Sequence, residues 1–102
     1  MFIITCQQGE TYGLGNNANP DLQISCDKFG NVLFFSHYSN GERSSILGCY
    51  QSPERAAEIT SAIIAKFHAY KKWLAAGHVA KSIDDIKNFD ALKLNRFALP
   101  AA

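Results

Sequence analysis

Ile46-Leu47-Gly48-Cys49-Tyr50-Gln51-Ser52-Pro53-Glu54-Arg55-Ala56-Ala57-Glu58-Ile59 reads as a strand that stops, turns once and launches a helix. Ser52 is the predicted cap, because its hydroxyl accepts a hydrogen bond from an orphan amide of the first turn. Pro53 stands at the first helical position, where its missing N–H costs nothing and its fixed φ suits the helix. Glu54 and Glu58 place negative charge near the positive end of the helix dipole. Arg55 is the exception, since the same dipole disfavours a cation so early in a helix. It is therefore expected to pair with Glu58 or with an acidic group on the sheet.

Downstream of this junction, Ala56, Ile59, Ile63, Phe67, Tyr70 and Leu74 recur at spacings of three and four. That is one apolar stripe on a helix running to about Ala76, with Gly77 as the residue that ends it. A helix of this length spans roughly 36 Å, so its last turns are expected to overhang the sheet. Ser82-Ile83-Asp84-Asp85 resembles a capping box, and Ile83, Ile86 and Phe89 suggest a short second helix ending near Leu92. The tail from Asn95 through Pro100 reads as extended.

Upstream, Phe2 to Cys6 is a short run rich in β-branched residues, a predicted first strand. Residues 9–20 hold Gly9, Gly13, Gly15, Asn16, Asn17, Asn19 and Pro20, and read as a loop. Leu22 to Asp27 alternates apolar and polar, the period of a half-buried strand. Val32 to Tyr38 is a strongly apolar strand. Ser39-Asn40-Gly41-Glu42 carries the Asn-Gly hairpin signal, and Arg43 to Tyr50 returns as the fourth strand. The predicted fold is α+β in a single domain over residues 1–102: a four-stranded antiparallel meander packed on one long helix, with a short C-terminal helix behind.

Composition fits one folded domain, with 47% apolar and 19% charged residues over 102 positions. The formal charge of +1 supplies no global field to steer the chain to nucleic acid or membrane. The charge is uneven, at −2 over residues 1–52 and +3 over residues 53–102. Met1 to Gln8 lacks the basic flank and apolar length of a signal peptide. No run of eighteen apolar residues is present, so no membrane span is expected. Three widely spaced cysteines, Cys6, Cys26 and Cys49, argue for a reducing, cytoplasmic setting rather than a disulfide framework.

Catalytic constellations are not legible. The Gly9–Gly15 pattern lacks the following helix that a phosphate cradle needs, and no Gly-Lys-Ser/Thr occurs. The three cysteines with His37 lack the close pairing of zinc ligands. They read as buried structural thiols, since free cysteine packs like a small hydrophobe. His68 and His78 fall outside any H-x-x-x-H pattern, and Asp84-Asp85 serve a helix start. The expectation is therefore no enzyme, no metal and no cofactor.

Two surfaces stand out. Lys66, Lys71, Lys72, Trp73, His78 and Lys81, with His68 among them, form the one local concentration of positive charge around an aromatic. The ordinary reading is a solvated helix face with snorkelling lysine stems, and the functional reading is a contact surface for an acidic partner. The sheet is the alternative, with Phe34, Phe35 and Tyr38 stacking bases of single-stranded nucleic acid.

The opening stretch also carries a resemblance. Leu47-Gly48-x-Tyr50 followed by Glu54-Arg55-Ala56-x-Glu58-Ile59 is similar to a junction in small uncharacterised proteins of phages and mobile elements. The resemblance implies an intracellular accessory protein. Many of those proteins bind and block a host component, anti-CRISPR inhibitors among them. The expected function is thus a non-enzymatic binding protein that inhibits or modulates a host protein. The alternative is a single-stranded nucleic-acid-binding module, and a homodimer through the uncovered sheet face is compatible with either.

Overall fold

The computed structural model describes residues 1–38, 41–75 and 94–102, the side chains of residues 37, 38 and 42 excepted. The described elements are β1 (Phe2–Thr5), β2 (Thr11–Leu14), α1 (Pro20–Gln23), β3 (Ile24–Cys26), β4 (Asn31–Tyr38), β5 (Gly41–Cys49), α2 (Pro53–Ala75) and β6 (Arg96–Ala98). The class is α+β, with one long helix. The Gly77 stop and the helix expected from Ser82 to Leu92 lie outside the described residues.

The four-stranded meander is not formed. Two sheets of three strands replace it, in the orders β2-β1-β6 and β3-β4-β5. The meander survives in the second sheet, where β4 pairs antiparallel with both β3 and β5. The first strand leaves it because the Gly/Asn stretch is not all loop. Cys6 donates its amide N–H to the Glu10 carbonyl at 2.7 Å, and Gly9 takes φ 97°, which only glycine adopts freely. This tight turn folds Thr11–Leu14 back onto β1, from Phe2↔Leu14 to Thr5↔Thr11. Leu14 is buried and Tyr12 half-buried, an alternating pair that the surrounding glycines and asparagines disguise. The tail adds a third strand, parallel to β1, with Ile4 opposite Phe97.

The strand predicted from Leu22 begins two residues later, at Ile24. Pro20 to Gln23 form the short α1 instead, whose turn is closed by Leu22 and Gln23 amides donating to the Asn19 carbonyl. Leu22 accordingly points to solvent, while Ile24 is buried.

The junction behaves as its residues dictate. Ser52 Oγ accepts the Arg55 N–H at 3.1 Å, and the Ser52 carbonyl accepts that of Ala56. Arg55 pairs with Glu58 at 3.1 Å and also donates to the Ala102 carbonyl. Ala56, Ile59, Ile63, Phe67 and Tyr70 are all buried, joined by Thr60, whose hydroxyl donates to the Ser25 carbonyl.

Phe2 of β1 packs edge-on against Phe67 and at a tilt against Tyr70, with ring centroids at 5.5 and 5.8 Å. Tyr12 of β2 meets Phe34 of β4 at 5.9 Å. The two sheets and α2 thus share one core, which includes Tyr70 as the apolar stripe predicts. Gly48 lets the pieces close: a Cβ there would sit 2.8 Å from the Tyr50 ring and 3.0 Å from Leu99.

Candidate interaction surfaces

On α2 the basic residues diverge. Lys66 and Trp73 stand two turns apart and nearly in line, on one flank of the buried stripe. Lys71 lies on the opposite flank, where its ammonium donates to the Asn16 carbonyl. His68 lies on that flank too and meets Asp21 of α1 at 3.2 Å. Lys72 alone points straight out to solvent. Lys66, Lys71 and Trp73 are half-buried and Lys72 is exposed. His78 and Lys81 lie outside the described residues. The structure therefore does not gather Lys66, Lys71, Lys72 and Trp73 into one patch, because consecutive helix positions project about 100° apart.

Lys71 joins a fixed network. Tyr70 donates its hydroxyl to Asn16 Oδ1 at 2.9 Å and accepts from the Met1 amino group at 3.1 Å. Burial raises the Tyr70 hydroxyl pKa above the ordinary phenol value.

The stacking surface expected on the sheet is also altered. Phe34 is only 8% exposed and its ring lies against Tyr12, so it is a core residue and not a base-stacking platform. Phe35 is half-buried on the other face, and the Tyr38 side chain lies outside the described set. Alternation along β4 decides this: Val32 and Phe34 point to the core, Leu33 and Phe35 away from it.

A different surface emerges at β5. Leu33 pairs with Ile46 and Val32 with Gly48, so Leu47 is the extra residue of a β-bulge. The bulge buries Leu47 in the core and leaves Ile46 on the outer face at 60% exposure, beside half-buried Leu33. Beyond the bulge, Gln7 covers the outer edge of β5. Its amide donates to the Leu47 carbonyl, and its side-chain oxygen accepts the Cys49 N–H, both at 2.8 Å. Between this point and the Gln7–Glu10 turn lies a cavity of about 320 Å³. Ile46, Leu47 and Cys6 give it an apolar lining; Gln7, Gln8, Glu10 and Asn31 give it a polar one. Among the described residues that line it, Glu10 is the single charged one. No protein-family model matches this chain, and no curated protein and no solved structure is similar to it.

A second cavity, of about 280 Å³, lies between Cys49, Tyr50, Gln51 and the tail at Ala101 and Ala102. Tyr50 donates its hydroxyl to the Pro100 carbonyl at 2.7 Å. Burial raises the Tyr50 pKa, opposed by the nearby Arg55 guanidinium.

The thiols divide in the same way. Cys6 is buried and Cys26 half-buried, as core parity requires. Cys49 is exposed, a correction to its expected burial, because it faces away from α2 opposite Asn31. Among the described residues no group of three or more His, Cys, Asp or Glu is placed to hold a metal ion. Among them, too, no helix is long and apolar enough to cross a membrane.

Sequence reasoning missed Ile46, Gln7 and Glu10. Its one available signal was the adjacent apolar pair Ile46-Leu47, which breaks the alternation of a regular strand and marks the bulge.

Proposed function

We propose that this chain is a small non-enzymatic binding protein that acts through protein–protein contact, as an inhibitor or modulator of a host component. The observation that carries this reading is Ile46. It is 60% exposed, pairs across the sheet with half-buried Leu33 on the outer face, and lines a cavity, so it is part of an apolar surface beside a recess, which suits a contact better than a reaction centre. The likeness of the Leu47–Ile59 junction to phage and mobile-element proteins adds an intracellular setting. An anti-CRISPR role is one instance of that setting. The outward Lys72 and the Lys66–Trp73 flank supply secondary contacts for an acidic partner.

The test is affinity capture from a lysate of the source cell, comparing the wild-type chain with Ile46→Asp and with Lys72→Ala. A protein identified in the capture is then purified and titrated. The reading expects wild-type capture, loss with Ile46→Asp and a milder loss with Lys72→Ala. Equal capture by all three chains, or none by any, would remove it.

The nucleic-acid alternative loses Phe34 to the core and keeps no specific observation in its favour.

A further inference from the structure

The β5 strand is the outer strand of its sheet, and its edge is used unevenly. At Leu47 and Cys49, Gln7 already supplies both a donor and an acceptor to that edge, in the pattern of a neighbouring strand. From Gly41 to Ile46, no described strand pairs with the edge. Alternate N–H and C=O groups along such an edge are a template for another extended chain. Natural proteins often blunt such edges with bulges and coverings. Among the described residues, the bulge and Gln7 blunt the half nearest the helix junction, and the other half carries the charged pair Glu42-Arg43.

We propose that the Gly41–Ile46 edge of β5, which no described strand pairs, takes up an extended segment of a partner protein by strand addition, with a lysine or arginine of that segment lodged in the cavity between Ile46 and Glu10. This rests on the reading of the chain as a protein-contact module, and names the kind of partner it takes. Main-chain hydrogen bonds along Gly41–Ile46 supply the affinity, and side-chain pockets supply the selectivity. An added strand would be stopped where Gln7 takes over the edge. Its residue opposite Ile46 stands on the outer face, at the mouth of the cavity.

The lining selects the side chain. Ile46 and Leu47 suit an aliphatic stem, while Gln8 and Asn31 add polar amide groups to the lining. Among the described residues that line the cavity, Glu10 supplies the one charge, and it is negative. One of its oxygens accepts the Tyr12 hydroxyl at 3.4 Å, a neutral donor. A long aliphatic side chain ending in a cation meets all of these features. A purely apolar side chain leaves the carboxylate and amides facing it.

The test uses the full chain and acetylated hexapeptides of alternating threonine and valine, with one valine replaced in turn by lysine, arginine, norleucine or glutamate. Binding is followed by amide chemical shifts and hydrogen exchange. Lysine or arginine peptides are expected to bind at least about tenfold tighter than the norleucine peptide. They are also expected to slow exchange at alternate amides within Gly41–Ile46. The preference should vanish in Glu10→Gln, and all peptides should weaken in Ile46→Ser. Both residues are exposed, and an unchanged melting temperature verifies that the variants fold. Equal binding of lysine and norleucine peptides, an unchanged preference in Glu10→Gln, or no edge protection would overturn the proposal. So would a stable dimer by light scattering that protects the same amides, since a second copy would then fill the edge. Lysate capture dependent on Ile46, with no peptide selection, would overturn strand addition while leaving the protein-contact reading standing.

Discussion

The ring of Phe2 meets the ring of Phe67 edge-on, with centroids 5.5 Å apart and planes at 79°. Both side chains are almost wholly buried. This contact joins the β2-β1-β6 sheet to the helix that also covers β3 and β4, so one aromatic pair holds separate sheets to a common core. Phe67→Ala is expected to cost about 3–5 kcal/mol, the usual penalty for emptying an aromatic site. Domains of this size are stable by only about 5–15 kcal/mol, so much of the total is at stake. Denaturant unfolding measures it, and Phe67→Leu should lose less.

Acid sensitivity is expected at the turn between β3 and β4. Asp27 Oδ1 accepts the amides of Phe29 and Asn31, both at 2.9 Å, and Oδ2 accepts the Asn31 side-chain amide at 2.8 Å. Those bonds, the Asn31 side chain first, hold the Asp27 carboxyl below the ordinary carboxylate value. A depressed folded pKa means that the stabilisation is complete above the unfolded value, near pH 4, and fades as the pH falls below it. Asp27→Asn should flatten the acid limb of a stability–pH curve. An unchanged limb would assign the acid sensitivity elsewhere.

The alkaline limb should answer to Tyr50 and Tyr70. Burial raises both pKa values, so the folded state holds each proton more tightly than the unfolded chain. Their contribution is complete below about pH 10 and is lost as the pH climbs through the folded values. Tyr50→Phe also removes the bond to the Pro100 carbonyl, at a cost of about 1 kcal/mol near neutrality. Thermal melts at pH 7 and above pH 10 separate the two effects.

Ser52→Ala should cost about 0.5–2 kcal/mol, because the Arg55 amide loses its acceptor. Arg55→Ala should cost less, about 0–1 kcal/mol, since its pairing with Glu58 is solvent-exposed. Finding the reverse order would mean that the bond from Arg55 to the Ala102 carbonyl dominates the junction.

Thiol labelling should run in the order of exposure. Cys49 is expected to react with a maleimide under native conditions, Cys26 more slowly, and Cys6 only on unfolding. Mass spectrometry of timed digests reads the order directly, and early labelling of Cys6 would contradict its burial.

The helix and its cap were legible because their signals are local. Ser52, Pro53 and the spacing of Ile59, Ile63 and Phe67 act within a few residues of one another. The hairpin of β4 and β5 was legible for the same reason, although Gly41 proves to be paired with Tyr38 rather than central to the turn. The first sheet was not legible. Tyr12 and Leu14 form a strand only because β1 offers them an edge, and β6 depends on the same strand from far along the chain. Tertiary pairing overrides local propensity there. The candidate site failed for a related reason. A helical run of lysines looks like a cluster in sequence and diverges around the cylinder, whereas Gln7, Glu10 and Ile46 are distant in sequence and adjacent in space.

The parallel pairing of Ile3–Thr5 with Arg96–Ala98 sets the order in which the molecule can be assembled. The β3-β4-β5 hairpins and α2 are built from neighbours and can form while the chain is still being made. The β2-β1-β6 sheet must wait for β6, since pairing Ile3 with Arg96 closes a very long loop. Long-range closure of that kind slows folding. Until it happens, the β1 edge stands open and Leu99 cannot reach its place beside Gly48 and Tyr50. Arg96 to Leu99 thus act as a latch, and deleting them should leave a protein that is mostly structured yet unfinished.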